Sequence, residues 1–188
     1  LDVISGPEPG DPFIAPRQSP SFLESAKRHP NRMRIGLLLT SDKWIDPQVA
    51  ATTEDAARTL ESLGHEITTA NVDLTGLGPL FRIMVEAESA ALKVEDSSAF
   101  SDPYSRWCYR RGEKLSAVEY LRATEEMFRR SREIITAAMN WNCLLTPTVT
   151  LLPQPLDTFL ALTESVAEDD LAYIPFTYPF NITGQPAI

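Results

Sequence analysis

The pattern that most constrains the fold is a short apolar run followed by an amphipathic stretch and a second β-rich run. Residues 34–39 form a continuous apolar run, which is typical of a strand covered on both faces. Asp46 and Pro47 then provide a helix N-cap and a proline at the first helical position, and Gly64 provides a C-terminal cap. Residues 65–72 predict the next strand, so the segment indicates a parallel strand–helix–strand crossover. The predicted helix has one apolar face, with spacings of three and four: Val49, Thr53, Ala56, Leu60 and Leu63.

The middle of the chain is predicted to be mainly helical. Residues 80–94 are rich in Ala and Glu and predict a helix after a break at 76–79, whereas residues 95–112 are mixed and rich in aromatic side chains. Ser116 and Glu119 form a capping box at the start of a long helix. The apolar residues of that long helix share one predicted face: Val118, Leu121, Phe128, Ile135 and Met139.

The other face of the long helix is predicted to carry ion pairs four residues apart, Glu125 with Arg129 and Glu126 with Arg130. Residues 143–146 predict another buried strand, which stops at a proline. Residues 1–33 are rich in proline, so we predict an irregular connection with one or two helical turns around residues 21–28. We therefore expect an α/β fold, with residues 34–188 as its regular part.

Composition excludes several kinds of partner. The formal charge of -9 opposes binding to a nucleic-acid backbone or to an anionic membrane surface. No apolar run approaches the length of a membrane span. Two cysteines are too few for a disulfide framework and fit a reducing compartment, so we expect a cytoplasmic protein. The chain has no basic leader, begins without Met and stops on an apolar tail, so we expect it to be part of a longer protein.

Motifs for common catalytic and metal sites are missing. The sequence holds no phosphate loop, no G-x-G-x-x-G, no His-Glu-x-x-His, no G-x-S-x-G and no S-x-x-K. Two histidines and two distant cysteines build no convincing zinc site, and the three consecutive acids of residues 168–170 converge poorly on one cation. Arg106, Arg110 and Arg111 are compatible with an anion clamp, but arginines beside acidic helices more often form exposed ion pairs. Taken alone, the residues leave the chemistry of the site open.

Three segments in fixed order resemble the amidase signature family. Residues 1–12 are similar to its I-x-G-x-D-x-x-D-P stretch, with Glu8 in place of the first Asp. Residues 144–148 resemble its L-L-T-P-T strand exit. Residues 176–187 are similar to its F-T-x-x-x-N-x-T-G-x-P-A motif. The resemblance covers nearly the whole chain and is strongest to general amidases, including the branch that hydrolyses aminohexanoate oligomers.

The resemblance implies an α/β/α sandwich around a large mixed sheet, and hydrolysis of carboxamides without cofactor or metal. Family members use a nucleophilic serine, a second serine and a lysine that relays protons. These residues lie upstream of the first motif, so the resemblance implies that no catalytic residue is in this chain. The chain would be a C-terminal amidase part, incomplete at both ends and inactive alone. Its partners would be a small amide substrate and the N-terminal half of the same protein or a complementary chain.

The resemblance also implies four residues of the substrate pocket: Thr177, Phe180 and Asn181 from the last motif, and Arg111 from the helical cover. Turn chemistry explains Thr177 and Asn181 equally well, and Phe180 is better explained as a core residue. Ile174 stands where amidotransferase members carry an acid that grips glutamine, which favours a less polar amide. Three alternatives stay open: a non-catalytic subunit, an inactive amidase-like partner of a second chain, and a small α/β ligand-binding domain. A homodimer is a further open alternative.

Overall fold

The computed structural model of the chain describes residues 1–11, 18–155 and 170–188, which form two compact units. The first unit, Leu1–Met33, contains the short helix α1 (Phe22–Ala26). A capping box between Ser21 and Glu24 starts this helix. The carboxylate of Asp2 accepts hydrogen bonds from the backbone N–H groups of Leu23 and Phe22, which lower the pKa of Asp2. The helical turns predicted around residues 21–28 are therefore confirmed.

The second unit, Arg34–Ile188, is built on a three-stranded sheet with the order β2-β1-β3. Strand β1 spans Arg34–Leu37, β2 spans Glu66–Thr69 and β3 spans Cys143–Leu145. Both neighbours run parallel to β1, and Ile35 stands opposite both Ile67 and Cys143. The parallel strand–helix–strand unit and the α/β class are confirmed.

Helix α2 (Pro47–Ser62) begins and ends where the sequence predicts. Its N-cap Asp46 accepts a hydrogen bond from the backbone N–H of Gln48 at 2.8 Å. Gly64 follows the helix with a φ of +95°, a left-handed conformation that glycine adopts without strain. The predicted apolar face is confirmed at Thr53, which is buried, but Ala57 is buried in place of Ala56, and Leu63 is exposed.

Helix α3 (Leu77–Ala90) begins earlier than predicted, directly after Gly76, which has a φ of +76°. The predicted break at Gly76–Pro79 is wrong because Pro79 lies in the first turn, where an N–H has no intrahelical partner to lose. Helix α4 (Pro103–Gly112) occupies much of the segment predicted as mixed. Asp102 caps α4 through the N–H of Ser105 at 2.7 Å.

Helix α5 (Ala117–Ala138) begins with the predicted capping box of Ser116 and Glu119. Its predicted apolar face is not the buried face, because large side chains on it, such as Leu121 and Phe128, are 64% and 61% exposed. The prediction of a Glu125–Arg129 pair is also wrong, since Arg129 pairs with Glu126 and Glu133. The buried face consists of Ala123, Met127, Ser131, Ile134 and Ala138.

The main core lies beyond the carboxyl ends of β1 and β2, where α3 and α5 pack together with the last helix, α6 (Tyr178–Thr183). Leu38 and Leu77 are fully buried there, and the rings of Phe81 and Tyr178 stack with centroids 5.3 Å apart. Within the described residues, no helix is long and apolar enough to cross a membrane.

Candidate functional site

A cavity of about 360 Å³ opens at the carboxyl ends of β1 and β2. Parallel α/β sheets place ligands at this edge, since the loops that follow neighbouring strands diverge there. The volume lies within the range of small-molecule sites. The lining comes from the loop after β1, the loop after β2 and the segment before α6: Thr40, Ser41, Asp42, Asn71, Val72, Asp73, Leu74, Thr75, Pro175 and Phe176.

Asp73 is the best-anchored polar group of this lining. Its Oδ1 accepts hydrogen bonds from the N–H and Oγ1 of Thr75, at 2.9 and 2.7 Å. Nη2 of Arg130 on α5 lies 3.3 Å from Oδ2 and also donates to the carbonyl of Thr75 at 3.0 Å. The bonds from Thr75, and then Arg130, lower the pKa of Asp73, so the carboxylate is ionised at neutral pH. The β2 loop is thereby fixed to α5.

The cavity is rich in hydrogen-bond acceptors. Asp42 lines the cavity, and burial, together with the negative charge of Asp42, raises the pKa of the Tyr178 hydroxyl. Pro175 and Phe176 supply apolar surface, and Phe176 is 3% exposed. Two carboxylates beside an apolar wall suit a neutral ligand that offers N–H groups, and they repel an anion.

The structure brings the predicted residues Thr177, Phe180 and Asn181 next to this wall, because they begin and form α6. The hydroxyl of Thr177 donates to the carbonyl of Thr148, which lies just after β3. Phe180 is partly buried and packs against the core. Asn181 is exposed, and its side chain forms no hydrogen bond within the described part of the chain. The last motif is therefore hydrogen-bonded to the exit of β3, and the amide side chain of Asn181 is accessible to solvent.

Arg111 lies on α4 and does not line the cavity; it contacts Glu86 and Trp107. Its Nε donates to Oε1 of Glu86 on α3 at 2.5 Å, and its guanidinium lies 4.8 Å from the centroid of the Trp107 ring. The Glu86 side chain is 2% exposed, so Arg111 neutralises a buried carboxylate. Nothing in the described residues joins Arg111 to the other predicted pocket residues, and its role in binding stays a prediction.

The other arginines of the predicted anion clamp also form hydrogen bonds with nearby residues. Arg106 donates to the carbonyl of Phe100 at 3.0 Å, and Arg110 donates to the hydroxyl of Ser97 at 3.3 Å. The acids at 168 and 169 lie outside the described residues. Among the described residues, no group of three His, Cys, Asp or Glu side chains is placed to hold a metal ion.

Sequence reasoning missed the polar residues that line the cavity, above all Asp42, Asn71 and Asp73. A usable signal exists, because Asp42 and Asp73 follow predicted parallel strands and Asn71 lies near the end of the second one, which stops at Thr69 in the structure. The carboxyl ends of adjacent parallel strands meet at one edge of the sheet, so polar residues there are brought together.

Comparison with solved structures shows that this fold occurs in known proteins. The chain superimposes on a structure of 6-aminohexanoate cyclic dimer hydrolase complexed with substrate, with a TM-score of 0.81 and 22% identity, over 98% of this chain and 43% of that one. A model of the Amidase family matches residues 1–188. The chain therefore belongs to the amidase family, and the predicted family resemblance is confirmed.

Curated relatives agree with this family. The chain is 29% identical over 226 residues to the 6-aminohexanoate-cyclic-dimer hydrolase of Paenarthrobacter ureafaciens, covering 100% of this chain and 43% of the relative. It is 28% identical over 198 residues to the acylamidase of Rhodococcus erythropolis, covering 100% of this chain and 41% of the relative. The chain thus spans about two fifths of the length of the relatives it matches.

Proposed function

We propose that the chain is the C-terminal portion of an amidase that hydrolyses a carboxamide C–N bond. The observation that carries this proposal is the match of the Amidase model to residues 1–188. The fold likeness to a hydrolase of an aminohexanoate cyclic dimer is consistent with it. As part of the same proposal, the catalytic residues are supplied by the N-terminal portion of the protein, so this chain alone is inactive.

The chemistry follows the resemblance to family members. A serine oxygen attacks the amide carbonyl, and a lysine and a second serine pass the proton to the leaving nitrogen. Backbone N–H groups stabilise the tetrahedral oxyanion. Water then hydrolyses the acyl-enzyme, releases the acid and restores the serine. No step needs a metal or a cofactor.

The proposed contribution of this chain is one wall of the substrate pocket. Thr177 holds the start of α6 against the exit of β3, so that Phe180 and Asn181 face the substrate side. The ionised Asp73 and the apolar Phe176 favour a neutral amide over an anionic one. Ile174 in place of an acid agrees with a less polar amide. Neither Cys108 nor Cys143 forms a disulfide, which agrees with a cytoplasmic location.

The first experiment compares the full-length protein with the 188-residue chain. We expect a serine-directed fluorophosphonate to label the full-length protein and not the chain, with hydrolysis of linear amides following the same pattern. Labelling of the chain alone would show that the nucleophile lies within it. Failure to label the full-length protein would instead favour a non-catalytic subunit, and activity would then have to be sought with a complementary chain.

The second experiment tests the pocket wall with Asn181→Ala. Asn181 is exposed and unbonded, so its removal leaves the melting temperature unchanged, while loss of one hydrogen bond to the substrate raises KM about fivefold. Asn140→Ala is the matched control, because Asn140 is another exposed asparagine at the end of α5. Equal kinetics of the two variants would remove Asn181 from the pocket without affecting the proposed reaction.

A further inference from the structure

Helix α3 begins in the core without a side chain that caps it. Its first two residues, Leu77 and Gly78, are both buried, and their backbone N–H groups have no acceptor within the helix. Gly76 precedes them and offers no side chain. Neither N–H donates a hydrogen bond to any part of the chain that the structure describes. Because buried N–H groups are almost always paired in folded proteins, we expect the start of α3 to receive an acceptor from elsewhere.

A third donor, the hydroxyl of Tyr178, lies at the same place. Tyr178 is 7% exposed, and its hydroxyl oxygen lies 3.3 Å from the position that a Cβ on Gly78 would occupy. That hydroxyl forms no hydrogen bond within residues 1–11, 18–155 and 170–188. No fully buried side-chain oxygen or nitrogen of these residues lacks a partner, so the Tyr178 hydroxyl retains an opening. A small ligand can therefore reach the hydroxyl although the ring is buried.

The three donors adjoin the cavity at the carboxyl ends of β1 and β2. Thr75 lines this cavity two residues before α3 begins, and Phe176 lines it two residues before Tyr178. Asp42 lines the cavity as well, and after burial its charge is the second cause that raises the pKa of the Tyr178 hydroxyl. The hydroxyl therefore stays protonated at neutral pH and is able to donate. Three donors and one carboxylate acceptor thus lie together where open α/β sheets bind ligands.

The chemistry of this cluster favours one functional group. The N–H groups and the hydroxyl require an oxygen acceptor, and the positive end of the helix dipole attracts its partial negative charge. A carboxylate would be repelled by Asp42 and by an acidic chain whose net charge is -9. A neutral carboxamide avoids this repulsion, because its carbonyl oxygen accepts from the donors while its N–H donates to Asp42.

We propose that Tyr178 and the first turn of α3 bind a carboxamide of the substrate other than the one that is hydrolysed. This inference rests on the proposed amidase function. The reacting amide lies beside the nucleophile, which that function assigns to the N-terminal portion of the protein, so a carboxamide held by α3 is a second one. The preferred substrate is then a diamide, and Tyr178 is a residue that determines specificity.

The test is hydrolysis by the full-length protein of linear diamides, from butanediamide to decanediamide, each compared with the monoamide of the same chain length. A series is needed because this chain does not fix the distance from Tyr178 to the nucleophile. For the best diamide, kcat/KM should exceed that of its monoamide about tenfold, mainly through KM, because the monoamide leaves buried donors unpaired. Tyr178→Phe keeps the ring that stacks on Phe81 and should abolish this preference.

Tyr120→Phe is the matched control, because it removes the hydroxyl of an exposed tyrosine on α5 and should keep the preference. Equal hydrolysis of diamides and monoamides throughout the series would overturn the proposal, and so would a preference that survives in Tyr178→Phe. If the hydroxyl instead bonds to the N-terminal portion of the protein, Tyr178→Phe lowers the melting temperature and affects both substrates equally. That outcome also overturns the proposal.

Failure of the amidase function is a distinct result, because then neither kind of amide is hydrolysed. Calorimetric binding of the same compounds then decides the inference. The best diamide should bind about tenfold more tightly than its monoamide, and Tyr178→Phe should remove the difference. Equal dissociation constants for diamides and monoamides would overturn the proposal.

Discussion

Gly112 allows α4 to approach α3 more closely than any other residue would. A Cβ added at Gly112 would lie 1.9 Å from the carbonyl oxygen of Glu86 and 2.7 Å from the Cβ of Ala90. The obstruction is the backbone of a neighbouring helix, so no side-chain rotation relieves it. Gly112→Ala should therefore force the two helices apart by about 1.5 Å, to reach ordinary van der Waals distance.

The size of the effect follows from two opposing terms. Alanine is about 1 kcal/mol more favourable than glycine within a helix. Overpacking against an unyielding neighbour costs about 3 kcal/mol, at the upper end of measured values. The net loss is about 2 kcal/mol. For a protein of this size, a loss of that magnitude lowers the melting temperature by roughly 4–8 °C.

The measurement is urea and thermal unfolding of the purified protein, with Gly78→Ala as the matched control. Gly78 is also helical, but its added Cβ would lie 3.3 Å from the hydroxyl of Tyr178 and 3.6 Å from Cδ1 of Leu171, both in side chains that can shift. Gly78→Ala should therefore change stability by less than about 1 kcal/mol. If Gly112→Ala proves as stable as the wild type, the close approach of α3 and α4 described here is wrong.

Three further predictions concern the helix cap, the buried ion pair and the thiols. Asp102→Ala should cost about 1 kcal/mol at pH 7 by loss of the α4 cap. The hydrogen bond from Ser105 lowers the pKa of Asp102. The stability that the cap contributes is therefore present above about pH 4 and is lost as the pH falls through the folded pKa of Asp102. Asp102→Asn keeps the hydrogen-bond acceptor, so its stability should depend less on pH. Arg111→Met should lower stability by about 2 kcal/mol, because it leaves the Glu86 carboxylate buried without its cation, whereas Arg110→Met should be nearly neutral in the same unfolding assay. Burial raises the pKa of the Cys143 thiol, so its reaction with a disulfide reagent at pH 8 should be slower than that of free cysteine. Buried Cys108 should react only on unfolding. Rapid reaction of two thiols per folded chain would contradict this arrangement.

Local signals predicted the β1–α2–β2 unit correctly. Asp46, Pro47 and Gly64 act through hydrogen bonds and backbone conformation within a few residues, so their effect is visible in sequence. Helix α4 has the same signal in Asp102 and Pro103, but its arginines and aromatic side chains show no regular apolar spacing. Its face is defined by packing on α3, where only Gly112 permits close contact.

Long-range pairing explains the errors. The large apolar residues of α5 predicted the wrong buried face, because the core selects side chains that fit, such as Ala123 and Met127, and not the largest ones. Arg111 resembled an anion-binding residue because its partner Glu86 lies 25 residues earlier, on another helix. Thr177 and Asn181 could be selected only through the family motif, since the partner of Thr177 comes from the exit of β3 and the side chain of Asn181 is exposed.

The pairing of β1 with β3 sets an order of events during synthesis. The backbone N–H of Arg34 donates to Oδ1 of Asn142, and the N–H of Asn142 donates back to the carbonyl of Arg34, across a separation of 108 residues. Strand β2 is available to β1 soon after it is made, whereas β3 follows only after three more helices. At about 5–20 residues per second, one edge of β1 waits roughly 5–20 s for its partner. Throughout that interval the central strand of the finished sheet is an open edge, so β1 is the segment of the nascent chain most in need of protection from other chains.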